Sequence, residues 1–424
     1  MHYATTIKIF HLKFDIILIR CYLIEKSNTL CYNLAIEKYD FIIVGAGASG
    51  SMCAINLAQK GYKVLVIDKY LFPAKKLLVT GNGRCNLTNS GVSSKFYNQN
   101  IDSFLNKFGY KQTIEFFQNI GIITYLDEQG RCYPITNSAT SVVDVIKNQF
   151  SKLRIDFLGG QEFESLDKLG DGYMVKTHDS NYSCDNLIFA CGGNSVLDCL
   201  SKLRLQTKPF MPSLCALKTV ENTKTLTGVR VQYVLVEYEV GATKKQDVGE
   251  ILFKDQGISG ICVFNLSCLG ARAGNYNGKL TVDFLPQMSE NNLAKLIQNH
   301  TYIFENVSEV LTGIVNEKIA NEVLKRAKIN KNTQKNILNY ENICKIAHII
   351  KHFDLTVCGA YDNNQVFSGG IELSSLNENL ESKSYSNMFF CGEIVDVDGE
   401  CGGYNLQWAF SSANAICSKF TKKS

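Results

Sequence analysis

The sequence holds 16 cysteines but no CxxC pair and no Cys/His run at zinc-ligand spacing. Their absence excludes a zinc finger or ribbon. In a chain of 424 residues, scattered thiols also exclude a small disulfide-stapled scaffold. Reduced cysteines and a cytoplasmic protein are the expectation. Histidine is scarce, at six residues, and His348 with His352 is the sole pair at helical i, i+4 spacing. That pair lacks the glutamate of a zincin, so surface or core histidines are expected and no metal. There is no internal repeat and no low-complexity tract. The apolar stretch "FDIILIRCYLI" (14–24) is too short to span a bilayer, is broken by Arg20, and has no small-residue cleavage site after it. Residues 1–38 are read as an extension outside the fold, with a targeting peptide as the second reading, and no membrane partner is expected.

Charge of one sign is also lacking. The formal net charge is +4, and residues 1–38 alone hold five Lys/Arg against three acids. Basicity gives little support to a nucleic-acid partner. With 45% hydrophobic and 20% charged residues, the chain is globular and long enough for two or three domains.

"YDFIIVGAGASGSMCAINLAQKGYKVLVIDK" (39–69) reads strand, glycine turn, helix, turn, strand. Both strands are continuous apolar runs, as a buried parallel sheet requires. Residues 101–125 and 139–150 look helical, and "NLIFACGG" (186–193), ending in Gly192 and Gly193, is a further buried strand. From Pro209 the pattern alternates, as in "VRVQYVLVEYEV" (229–240) and "KLTVDFL" (279–285), which marks a smaller antiparallel β domain. Residues 290–350, with Leu311, Ile314, Val315, Ile319 and Val323 at helical spacing, form a helical insert. The expected organisation is 39–208 with 367–424, then 209–289 with 351–366, then the insert.

Gly45, Gly47 and Gly50 satisfy GxGxxG between strand and helix. A nucleotide pyrophosphate is then expected at the helix start, near Ala48 and Ser49. Asp68 ends the second strand, next to Lys69, where a carboxylate accepts from ribose hydroxyls. NAD and FAD share this fingerprint. Two later stretches decide for FAD. "KKLLVTGNGRCNLTN" (75–89) brings Lys76, Thr80, Gly81 and Gly83, whose bare backbone can pass close to a flat ring. Arg84 offers planar donors, Cys85 is a candidate proton donor or a packed thiol, and Asn86 and Asn89 either fix the loop or donate to ring carbonyls. "CGEIVDVDGECGGYNLQWAFSSA" (391–413) places Gly392 and Glu393 after a strand. The carboxylate is expected to accept from a polyol such as ribityl. Gly402 and Gly403 then open a helix through Tyr404, Asn405 and Leu406, whose N-terminal amides would stabilise the anion formed on flavin reduction.

These motifs, together with "GRCYPITNSAT" (130–140), "GEILFKDQGISG" (249–260) and "QVFSGGIEL" (365–373), cover most of the chain from Tyr39 onward. The sequence resembles the bacterial NAD(P)/FAD-dependent oxidoreductases labelled aminoacetone-oxidase-like or bile-acid-reductase-like flavoproteins. The resemblance implies an α/β Rossmann-like FAD-binding domain of the two-dinucleotide-binding type. It would be interrupted by a six-stranded, β-barrel-like domain with a helical insert. Four positions depart from the family pattern: Asn82 for glycine, Asp68 for glutamate, and Cys191 and Cys391 for Thr and Ala.

The implied activity is redox chemistry on non-covalent FAD, since no His or Tyr stands in a motif that would bond to the ring. With a single GxGxxG, NAD(P)H would dock only transiently as donor. The leading expectation is reduction of a polarised C=C bond, in an enone-like small molecule or in a uracil ring of RNA. Cys85, or water ordered by Arg84, would then supply the proton. The alternatives are a flavin-dependent amine oxidase using O₂ and a non-catalytic flavin-bearing RNA-binding or interaction protein. Oligomeric state is not legible in the sequence.

Overall fold

The computed structural model describes residues 37–193, 200, 203, 205–362 and 364–423. The expected extension, up to residue 36, lies outside the described residues. The first strand, β1 (Lys38–Val44), starts one residue before Tyr39. Lys38 pairs with Ser183, and the Glu37 carbonyl accepts from the Ser183 amide at 3.1 Å. Those two residues therefore belong to the sheet.

β1 is flanked on both sides by parallel strands, so Phe41, Ile42 and Ile43 lose all solvent exposure. Helix α1 (Ala48–Gln59) follows the glycine turn, and β2 (Val64–Asp68) lies beside β1 with Phe41 opposite Val64. The helix is buried along most of its length because it is covered by the C-terminal helix Tyr404–Cys417. Across the sheet the order is Asp156–Gly159, β2, β1, Asn181–Phe189, Gly172–Thr177 and Phe163–Leu169. The first four are parallel, and the last two form an antiparallel meander with the fourth. Met388–Phe390 joins late, parallel to Leu187–Phe189.

The second unit is a closed barrel of six antiparallel strands between Leu217 and Ala360. Helix Ile261–Ala273 packs on it, and helices Glu290–His300, Val307–Val310, Glu317–Ala327 and Tyr340–Lys351 share its apolar core. The chain leaves the first unit through Thr207–Ser213 and returns through Val366–Ile371, and these two crossings pair with each other as an antiparallel ribbon. No helix among the described residues is long and apolar enough to cross a membrane.

Two expected helices differ in extent. Residues 101–125 divide into Asp102–Lys107 and Tyr110–Asn119, broken at Gly109, whose amide donates to Gln112 Oε1 as a new cap. Thr124–Leu126 then pairs with Arg131–Pro134 as a strand. Leu311, Ile314 and Val315 fall in turns between helices, and Leu311 is buried all the same. A buried turn carries the same apolar spacing as a helix.

Candidate active site

The three glycines after β1 serve different needs. Gly45 has φ +103°, and a Cβ there would lie 2.8 Å from the Ala190 carbonyl carbon. A Cβ on Gly50 would come within 1.9 Å of the Gly45 oxygen. The fold itself requires both. Gly47 has φ −68°, and a Cβ built on it meets nothing within 4 Å. Among the described residues no backbone strain and no neighbour asks for glycine at 47, and its bare backbone suits the close approach of a pyrophosphate.

That space opens into a cleft of about 670 Å³, counting its mouth, lined among others by Gly45, Gly47, Asp68, Lys69, Lys76 and Gly192. Helix α1 points its start here with no side-chain cap and no acid in its first turn, so its free amides and the lysines favour an anion. Asp68 accepts from the Ala46 amide at 2.6 Å and the Tyr70 amide at 2.8 Å. An ionised carboxylate has about four acceptor positions, so two remain for ribose hydroxyls.

Glu393 packs beside Lys76 and Gly192, two residues that line the cleft. Its Oε1 accepts from the Phe367 amide at 2.8 Å, and Oε2 lies 3.4 Å from Lys76 Nζ. A Cβ at Gly192 would stand 2.0 Å from that Oε2, so the bare backbone at 192 gives the carboxylate its place. Gly392, at φ +74°, brings this turn against Ser49 of α1. Its carbonyl accepts from Trp408 Nε1 and its amide donates to Ser412 Oγ, two braces the sequence did not announce.

The loop 75–89 starts as a 3₁₀ segment, Lys75–Gly83, and carries a run of left-handed backbone: Gly81, Asn82, Gly83 and Cys85 all have positive φ. Asparagine tolerates that region better than most residues, which explains how Asn82 replaces a glycine. Arg84 stacks on the Tyr133 ring at 4.4 Å and donates to the Gly81 carbonyl and the Tyr133 hydroxyl. The Cys85 side chain is fully buried, and burial pushes its thiol up to about 12. This is a packing environment for sulfur. Asn89 spends its side chain on the loop, accepting from the Gly91 amide and donating to the Gln129 and Gly402 carbonyls.

Asn86 differs, for among the described residues its buried Oδ1 has no hydrogen-bond partner. A Cβ on Gly403 would stand 3.0 Å from it. Helix Tyr404–Cys417 starts there, again with no side-chain cap. An orphaned buried acceptor beside free helix amides suits the edge of a flat ring that both donates and accepts. The residues present therefore fit FAD. Tyr404 stacks its ring on Phe96 at 4.3 Å and Asn405 bonds its side chain to Gly399 and Glu400, while their backbone amides open the helix. Leu406 packs against the main core.

Several residues gather here without a local signal. Gln161, Glu162 and Phe163 line the cleft from a strand entrance. Thr88, Thr113, Gln407 and Ser411 form a buried network under the second loop. Arg272, on the helix packed against the barrel, pairs with Asp396 and Asp398. Both acids are buried. Lys208 reaches Asp396 at 2.9 Å.

Residues 39–419 match the family described as HI0933-like protein Rossmann domain. The chain is 31% identical over 394 residues to the 3-dehydro-bile acid delta(4,6)-reductase of Clostridium scindens, covering 87% of this chain and 96% of that one. It is 26% identical over 403 residues to the ribosomal RNA dihydrouridine synthase of Escherichia coli, covering 89% and 96%. Among solved structures, a 3-ketosteroid delta1-dehydrogenase from Sterolibacterium denitrificans aligns over 91% of this chain and all of that one, at 10% identity and a TM-score of 0.47. With a Rossmann-type strand–glycine turn–helix at its start and a match spanning nearly every described residue, the chain belongs to the HI0933-like family of Rossmann-fold, FAD-binding oxidoreductases.

Proposed function

We propose that this flavoprotein reduces a polarised C=C bond of an enone-like small molecule, with NAD(P)H as the external donor. The observation that carries the reading is similarity along 96% of the length of a relative named as a delta(4,6)-reductase. The balanced reaction consumes NAD(P)H and one proton and yields NAD(P)⁺ and the saturated bond. Bound FAD supplies the two-electron relay between donor and substrate.

The chain's own residues hold and bias that chemistry. Gly45, Gly47 and the first amides of α1 bind the pyrophosphate, and Asp68 and Glu393 accept from sugar and polyol hydroxyls. The uncapped start of the helix at Tyr404 favours negative charge on the ring edge, and Asn86 Oδ1 accepts from a ring donor. The cost of burying an unpaired acceptor, roughly 1–3 kcal/mol, is then recovered on cofactor binding. Because Cys85 is fully buried and burial makes its thiol a weaker acid, the proton at the α-carbon is assigned to water ordered by Arg84.

The second reading, a uracil ring in RNA, has the relative named as an RNA dihydrouridine synthase in its favour. Against it, many surface lysines already face acids, as Lys245 faces Glu400 and Lys279 faces Asp354. Anaerobic stopped-flow tests the proposal. NAD(P)H should bleach the flavin rapidly, and a conjugated steroid enone should restore its colour faster than a uracil-containing RNA. Bleaching by an amine alone would replace the reading with an oxidase, and no bleaching by NAD(P)H would end it.

A further inference from the structure

The helical layer on the barrel carries a second cluster of polar side chains, independent of the flavin cleft. His348 and His352 stand one turn apart at the end of helix Tyr340–Lys351, on one face. Their sequence neighbourhood offers no carboxylate of zincin type. The fold supplies one from another helix. Glu290, the first residue of Glu290–His300, brings its Oε2 to 3.2 Å from His348 Nδ1 and 3.4 Å from His352 Nε2. The imidazole centroids are 4.6 Å apart. One ligand atom from each of the three lies within 4.8 Å of the other two, and among the described residues no other group of three His, Cys, Asp or Glu side chains comes together this way.

We propose that Glu290, His348 and His352 bind a divalent transition metal of the zinc class, which ties the start of one helix to the end of the other. A tetrahedral ion with bonds of about 2.0–2.1 Å holds neighbouring ligand atoms roughly 3.3 Å apart. Both N···O separations already have that value. Two imidazoles and one carboxylate select zinc, nickel or copper over magnesium or calcium. The frame is rigid, because Leu293, Ala294 and Ile297 of one helix and Ile343, Ile346 and Ile350 of the other are buried in a common core. The ligands are reachable, with the His348 and His352 side chains 59% and 51% exposed. Asp354, which interacts electrostatically with His352, adds negative potential nearby, although Lys279 partly offsets it. Three protein ligands leave one coordination position to water.

As plain hydrogen bonds, these contacts are exposed and hold little energy. A bound ion recruits all three side chains at once and stabilises the folded chain by mass action. The proposal stands apart from the flavin reading, since none of the three residues lines the cleft.

The test uses the full-length flavoprotein, stripped with chelator and titrated with Zn²⁺ in competition with a chromogenic chelator. One equivalent should bind the wild type. His348→Ala and His352→Ala should each weaken it by on the order of a hundredfold, and Glu290→Gln should weaken it as well. Zn²⁺ should raise the melting temperature of the wild type and leave the variants unmoved. All variants should keep the metal-free melting temperature and flavin content of the wild type. Should an alanine variant fold poorly, His348→Gln and His352→Gln repeat the measurement. Because 16 cysteines compete for zinc, the Co²⁺ form is examined too, and it should show d–d bands without sulfur-to-cobalt charge transfer. Equal Zn²⁺ affinity in wild type and variants, thiolate charge transfer, or no bound equivalent would each overturn the assignment.

Discussion

The Asp68 carboxylate accepts a 2.6 Å hydrogen bond from the Ala46 amide, so the end of β2 holds the glycine turn after β1 in its working shape. The turn is set by the protein before a nucleotide arrives, which lowers the ordering cost of binding. Asp68→Ala should therefore lower FAD affinity by more than tenfold, through both lost ribose contacts and a loosened turn. Flavin release followed by fluorescence during dialysis measures it, and unchanged retention would contradict the assignment.

The glycines separate ligand from fold. Gly47→Val should give a folded but colourless protein whose melting temperature matches that of flavin-free wild type, because its Cβ meets nothing. Gly50→Val should not fold to a stable product, since backbone lies 1.9 Å from the new atom. Absorbance near the flavin bands and a thermal scan distinguish the two. A normal flavin load in Gly47→Val would remove the phosphate-loop reading.

Cys85→Ala should alter the reductive and oxidative half-reactions modestly and to a similar extent, as expected for a buried side chain that packs the loop. Single-turnover kinetics decide this. A loss of about 10²-fold confined to reoxidation by substrate would restore Cys85 as proton donor.

Buried thiols also predict alkaline lability. Burial pushes Cys85, Cys184 and Cys262 up to about 12, from an ordinary value of 9.0. Above pH 9 the unfolded chain gives up these protons while the folded chain keeps them. Their stabilising effect is thus whole below 9 and is lost as pH rises towards 12, at about 1 kcal/mol per thiol by pH 10. Melting temperature should fall steeply between pH 9 and 11, and the fall should be shallower in Cys85→Ala.

Arg272→Ala leaves Asp396 and Asp398 buried with, among the described residues, Lys208 as the remaining cation. The expected loss is about 3 kcal/mol in chemical denaturation. Arg272→Met combined with Asp396→Asn and Asp398→Asn should recover part of it. No loss in the single variant would mean that the acids are protonated or hydrated in the native state.

What was legible in the sequence is what lies close along the chain. Gly45 to Gly50 and Asp68 form one strand–helix–strand unit, so their spacing alone announced the turn and the helix start. The glycines at 402 and 403 announced a helix start for the same reason. Side-chain purpose was harder to read. Asn89, read either as fixing the loop or as donating to ring carbonyls, spends its side-chain amide on the Gly402 and Gln129 carbonyls, and Asn405, read through its backbone amide, ties its side chain to Gly399. Arg272 and Asp396 stand 124 positions apart, and no local pattern marks such a partner. Glu290 was invisible to the His348–His352 pair because helix packing, not spacing, brings it there.

The late arrival of Met388–Phe390 beside Leu187–Phe189 has a consequence for synthesis. A ribosome must add about 200 residues, including the whole barrel, before this strand can dock. Until then the nascent chain exposes the edge of its central sheet and lacks Gly392, Glu393 and the helix that follows them. The barrel, with its connections paired to each other, can complete its own core while the flanking halves wait. A chain truncated before Met388 would keep the residues that line the cleft but lack Gly392, Glu393 and the helix proposed to face the flavin ring.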